Sequence, residues 1–202
     1  YADSEVELVL GTTARGLDLD RRRVLLDDGD LPYDAVVVAT GSTNVRPPIP
    51  GMDLPGVHQL RTVDDADALR AAAAQAASAV VVGTGFIGCE IAATLRGRGL
   101  AVTAVDALPG PLWAVLGPRL SGLVRQWHEA HGVEVLGGVG VAALEGDQRV
   151  ERVRLAGRSA TALTAAEAVW LATGAAADAV GRPDLGQLEA GRRASQYVSG
   201  VL

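Results

Sequence analysis

Three glycines in the stretch AVVVGTGFIGCEIAATL, Ala79 to Leu95, are spaced to bring the backbone up to a pyrophosphate. Gly83 permits a tight turn, Gly85 removes the Cβ that would block a phosphate, and Gly88 lets the following helix lie close to the preceding strand. A bare GxGxxG also occurs in ordinary turns. Its setting here is more particular. Three valines ahead of it read as a buried strand, and FIGCEIAATL behind it reads as a helix. The N-terminus of that helix offers free N–H groups and a partial positive charge to phosphates.

Asp106 stands 23 positions after Gly83, at the end of the next apolar run. A carboxylate there can accept hydrogen bonds from both hydroxyls of an adenosine ribose and repels a 2′-phosphate. No Arg or His lies between Ala107 and Pro118 to hold such a phosphate. The residues therefore favour NAD(H) over NADP(H). The plainer alternative is a surface Asp capping a loop. Phe86 reads first as a staple between helix and sheet. Glu90 is placed in the first helical turn, where the dipole alone favours an acid. Cys89 reads as a small buried residue and not as a nucleophile. His128 and His131 flank the end of a later helix with no nucleophile or third ligand beside them, which suits a surface or C-terminal helix role.

These residues need elements to position them. VELVL (Val6 to Leu10), RVLLDDG (Arg23 to Gly29) and YDAVVVATG (Tyr33 to Gly41) read as strands, the last as a buried parallel one. NVRPPIPG, Asn44 to Gly51, has three prolines and reads as a linker between domains. Thr62 or Asp64 can cap a helix that ends before the strand Ala79 to Val82. The helix from about Phe86 is closed by Gly97 and Gly99, and Leu100 to Asp106 is a strand. Beyond Pro118, the residues Leu120, Leu123, Val124 and Trp127 fall on one helical face. Strands follow at Gly132 to Leu136, around Ala142 to Glu145 and Arg149 to Leu155 with a Gly146-Asp147 hinge, and at AVWLATG, Ala168 to Gly174. This order predicts an α/β fold: a Rossmann-like, doubly wound parallel sheet with a β-hairpin insert. From Ala175 on, the pattern reads as a loosely packed tail.

Composition narrows the function classes. In 202 residues all 18 basic side chains are Arg, 24 side chains are acidic, and the net charge of −6 argues against a nucleic-acid surface. The run Arg21 to Arg23, bracketed by Asp18, Asp20, Asp27 and Asp28, reads as a solvated turn or strand edge. A single cysteine excludes an intrachain disulfide, a CxxC pair and a Cys-rich metal site. With no apolar run near the ~20 residues of a membrane span and no signal-like start, the expectation is a soluble cytoplasmic protein.

The combination YDAVVVATGS…RPPIPG, LRTVDDADALR, VVVGTGFIGCEIAATL and VWLATG resembles the FAD-dependent pyridine nucleotide oxidoreductases, in particular the ferredoxin or rubredoxin reductase type. The resemblance covers roughly Val6 to Gly174. It implies a two-domain flavoenzyme in which NADH reduces FAD and FAD passes electrons singly to a small iron–sulfur protein. It also implies that the NAD domain is inserted into the FAD domain, which accounts for the internal glycine fingerprint. The expected division is a partial, β-rich FAD-type segment over 1–51, an NAD(H)-binding domain over 52–175 and a tail over 176–202. By position, Gly83, Gly85 and Gly88 would contact the NAD pyrophosphate and Asp106 the adenosine ribose. Phe86 would lie by the nicotinamide path, with Ile87 beside it among the NAD contacts. Glu90 would face the nicotinamide–flavin contact as the candidate catalytic acid, and Gly174 would close the NAD site. Thr40, Gly41 and Arg46 would lie on the FAD side.

Departures from the family pattern shape the functional expectation. The family's first strand and GxGxxG for FAD have no counterpart ahead of Tyr1, its Gly-Asp segment has none after Gly174, and the lysine that pairs with the Glu90-type acid is missing. The chain thus reads as a truncated or frame-shifted form that retains mainly NAD(H) binding. The alternatives are a non-catalytic NAD(H)-binding module or fragment, and a flavoprotein of the NADH oxidase or nitrite reductase kind. The implied partner is a ferredoxin or rubredoxin-like acceptor, with no nucleic acid, no membrane and a homodimer as the expected assembly.

Overall fold

The computed structural model describes residues 6–41, 43–157, 162–164 and 167–170, the last of these as backbone. Two compact units divide between Thr40 and Gly41. In the first, β1 (Ala14–Asp18), β2 (Arg23–Leu26) and β3 (Asp30–Pro32) form an antiparallel sheet in the order β1-β2-β3. The Arg-rich turn closes β1 onto β2. The Arg21 amide donates to Asp18 Oδ1 at 2.9 Å, Arg22 takes φ 53°, and Arg23 pairs with Asp30 at 2.6 Å.

Two expected strands in this unit are absent. Val6 to Leu10 and Tyr33 to Gly41 have no strand assignment, and Val37 is 88 % exposed. A β-branched run becomes a strand only when a neighbour completes its ladder, and among the described residues none pairs with either segment.

The second unit is built on a five-stranded parallel sheet in the order β4-β11-β5-β6-β7. Its strands are β4 (Val57–His58), β5 (Ser78–Val82), β6 (Ala101–Asp106), β7 (Val133–Gly137) and β11 (Glu167–Trp170). Alternation in β5 sorts side chains to two cores. Ala79 and Val81 face helices α1 (Val63–Ala73) and α2 (Phe86–Gly97), together with Leu69, Ala92, Leu95 and Val102. Val80 and Val82 face the opposite way, onto Met52, Leu144, Val150, Val153 and Leu155. This second layer is an antiparallel sheet of β8 (Val141–Glu145), β9 (Arg152–Leu155) and β10 (Ala162–Thr164), so the expected hairpin carries a third strand.

The linker reading of Asn44 to Gly51 is overturned. Pro47 is buried, Ile49 packs into the second core, and the Leu144 amide donates to Pro50 O at 2.9 Å. Proline blocks helix and central strand, but it does not stop a segment from lying along a sheet through its carbonyls. Gly51 is required at this crossing. It takes φ +88°, and a Cβ there would come within 1.9 Å of Leu144 O.

Helix α1 starts at Thr62, the first of the two caps anticipated. Thr62 Oγ1 accepts from the Asp65 amide at 3.1 Å, and Asp65 Oδ2 accepts from the Thr62 amide at 2.8 Å, a reciprocal capping box. Helix α3 spans Trp113–Ala130 with a break at Gly117, whose φ/ψ of 70°/176° separates a short first turn from the run begun by Pro118. Leu120, Leu123 and Trp127 share a face of it as expected, yet they are 48, 56 and 72 % exposed.

Candidate functional site

The glycine loop joins β5 to α2 at the carboxyl end of the parallel sheet, where open α/β sheets bind ligands. Gly83 takes φ 97°, a conformation only glycine adopts without strain, and its amide donates to Val105 O at 2.8 Å. Gly85 is the N-cap of α2, and no side chain caps that end. The first amides of the helix are therefore left for an anion. Gly88, Ala92 and Leu95 are the buried positions of α2, and the lack of a side chain at Gly88 lets the helix settle on the sheet.

Asp106, at the end of β6, is 7 % exposed. Its Oδ2 accepts from both the Thr84 amide and Thr84 Oγ1, each at 2.6 Å, and its Oδ1 accepts from the Leu108 amide at 2.9 Å. These bonds bear on the loop-capping alternative for Asp106. The residue does cap its own loop, but as a buried carboxylate locked to the glycine loop and not as a surface group. Behind it, Val139 N donates to the Asp106 carbonyl at 2.9 Å, and Gly138 N to Leu108 O at 2.8 Å. Thr84 was missed by sequence reasoning because it fills a variable position of GxGxxG. The only available signal was a hydroxyl inside the loop with an acid 22 residues on.

Phe86 does not staple the helix to the sheet. It is the first residue of α2 and 58 % exposed, on the opposite side from the buried Gly88–Ala92–Leu95 stripe, and Ile87 beside it is 43 % exposed. Glu90 is exposed and sits at the fifth position of α2, past the first turn, so the dipole argument for an acid there fails. Cys89 is half-buried, its thiol donates to Thr84 O at 3.4 Å, and desolvation followed by the Asp106 and Glu90 charges pushes its pKa up to about 11. Such a setting disfavours the reactive thiolate.

Arg46 is turned into its own segment, with Nη2 on Met52 O at 2.8 Å and Nη1 on Asp53 at 2.9 Å. Thr40 is exposed, Gly41 takes φ 73°, and Gly174 lies outside the described residues. His131 caps α3, with Nδ1 2.8 Å from Trp127 O. His128 lines a groove of about 580 Å³ with Arg96, Trp127 and His131, which includes no residue of the glycine loop. Among the described residues no cluster of His, Cys, Asp or Glu could hold a metal, and no helix is long and apolar enough to cross a membrane.

A glycine loop at the carboxyl end of a parallel sheet, an uncapped helix and a buried acid on the adjacent strand are the features with which open α/β folds hold dinucleotides. Residues 2–196 match the family model of the pyridine nucleotide-disulphide oxidoreductases, and the chain belongs to that family. It is similar to rhodocoxin reductase of Rhodococcus erythropolis, with 39 % identity over 145 residues, 71 % of this chain and 34 % of that protein. It is 40 % identical over 154 residues to the ferredoxin reductase component of chlorobenzene dioxygenase from Cupriavidus sp. strain PS12, covering 76 % of this chain and 38 % of that one. Among solved structures, the ferredoxin reductase for the CYP199A2 system of Rhodopseudomonas palustris superposes with a TM-score of 0.75 at 29 % identity, over 93 % of this chain and 46 % of that one. The chain spans about a third of the length of the curated relatives it matches.

Proposed function

We propose that this chain carries the NAD(H)-binding part of an NADH-dependent FAD oxidoreductase of the ferredoxin/rubredoxin reductase type. Such an enzyme passes electrons from NADH to a small iron–sulfur protein. The observation that carries the reading is the Asp106 carboxylate, held beside the uncapped N-terminus of α2 by the glycine loop itself.

NAD(H) fits these residues. The amides of Phe86 and Ile87 would take the pyrophosphate, Gly83 and Gly85 would let it approach, and Asp106 would meet the adenosine ribose. The exposed Phe86 ring and the exposed Glu90 lie on the free side of α2, available to the nicotinamide half. FAD finds no comparable cradle among the described residues. Arg46 is committed to Met52 and Asp53, and among the described residues no strand pairs with Val36 to Val38. The part of the reaction assigned here is therefore confined to the nicotinamide nucleotide, which supplies a hydride when bound. These residues bind and orient it.

Relatives named as ferredoxin reductase components support an iron–sulfur partner for the whole enzyme. NADH fluorescence titration tests the assignment. Saturable binding is expected, weakened at least about fivefold in Asp106→Asn, where a charge-assisted acceptor for the ribose is lost. Binding unaffected by that substitution would refute the role of Asp106.

A further inference from the structure

An ionised carboxylate offers about four acceptor positions, two on each oxygen. In Asp106 three are filled from within the chain: both on Oδ2, by the Thr84 amide and hydroxyl at 2.6 Å, and one on Oδ1, by the Leu108 amide at 2.9 Å. Among the described residues a single position, on Oδ1, is left without a donor. At 7 % exposure the group lacks the water it would need to exchange these partners freely.

We propose that Thr84 is a positioning residue for cofactor selection: its hydroxyl saturates Oδ2 of Asp106 and leaves Oδ1 to recognise the adenosine ribose through one hydroxyl only. This rests on the assignment of Asp106 to the ribose. It differs from the sequence expectation, in which both hydroxyls are held.

Thr84 suits this task because its other groups are also fixed. Its carbonyl accepts from the Leu112 amide at 2.9 Å and from the Cys89 thiol at 3.4 Å, and its side chain is 2 % exposed. The Thr84 backbone is thus held at its carbonyl by the Leu112 amide and the Cys89 thiol, and burial confines its hydroxyl to Asp106. Serine preserves the hydroxyl. Valine has nearly the same shape and removes it, leaving Oδ2 with one donor in a buried site. The carboxylate then has reason to rotate toward whatever donor remains, and Oδ1 loses its fixed aim.

The test compares NADH and NADPH affinities by titration for wild type, Thr84→Val, Thr84→Ser and Asp106→Asn. Thr84→Val is expected to lose at least about fivefold in NADH affinity with NADPH little changed, so that the preference narrows, while Thr84→Ser stays near wild type. Thr84→Val with an unchanged NADH-to-NADPH ratio overturns the positioning role. If Asp106→Asn also leaves that ratio unchanged, the ribose assignment itself has failed. Should Thr84→Val not fold, amide NMR of the ¹⁵N-labelled wild type decides. The Thr84 amide is expected far downfield and slow to exchange both with and without NADH. Fast exchange on adding NADH would mean that the ribose displaces Thr84 and takes both oxygens, which overturns the proposal.

Discussion

Cys89 lies within the contacts that immobilise Thr84, and its chemistry follows from them. Desolvation raises its pKa first, and the charges of Asp106 and Glu90 raise it further, to about 11. Since the thiolate is the reactive form, only about 0.1 % of it is ionised at pH 8, against about 10 % for a thiol with the ordinary value of 9. Iodoacetamide should therefore label the native protein about 100-fold more slowly than the urea-unfolded chain. Equal rates would show that neither burial nor the neighbouring charges hold the thiol protonated. The partial burial of Cys89 was legible in the sequence, as was the placement of Gly83, Gly85 and Asp106 at the ends of β5 and β6. The hydroxyl of Thr84 was not, because a hydrogen bond across 22 residues depends on the register between β5 and β6, and no local pattern encodes that.

Among the elements, the loop after β6 depends on a close approach at the end of β7. A Cβ added at Gly137 would come within 2.0 Å of Pro109 O, and the contact is with backbone, which cannot swing aside. Gly137→Ala should cost about 1–3 kcal/mol in urea unfolding and also weaken NADH binding, because the displaced loop is the one that holds Asp106. A stability loss without any change in affinity would separate the loop from the site. At the start of α1, Thr62→Ala should cost about 1 kcal/mol through loss of the capping box, with no effect on NADH.

Caps, glycine turns and the continuous apolar run of β5 are local, which is why the helices and parallel strands could be read from sequence. The failures were tertiary. Asn44 to Gly51 looked like a linker because proline density describes what a segment cannot form, not what it docks on. Val36 to Val38 looked like a strand because valines describe a strand's interior and not its neighbour. Phe86 looked like a staple because its size favours burial, but the first position of α2 points it away from the sheet.

For the molecule as a whole, charge and exchange give two further expectations. Burial, and then the neighbouring His131, lower the pKa of His128 below its ordinary 6.5 in the folded chain. The unfolded state therefore binds the proton more readily. Any stability linked to His128 is fully present above about pH 6.5 and is lost as pH falls through the lower folded value. The urea midpoint should drop between pH 7.5 and 5.5, and drop less in His128→Gln; identical pH profiles would remove His128 as a source. In hydrogen exchange, the amides of Val80 to Val82 should be the slowest and those of Val36 to Val38 among the fastest, since only the former sit in a buried ladder. Uniform protection over both segments would contradict this.

The central claim, that the chain holds NADH through the glycine loop and Asp106, is tested most directly by thermal unfolding with NADH or NADPH at equal concentration. A ligand that binds only the folded state stabilises it by RT ln(1 + [L]/Kd), about 2.7 kcal/mol at 100 times Kd. The melting temperature should rise with NADH and rise distinctly less with NADPH. No shift with NADH, or a larger one with NADPH, would contradict the account.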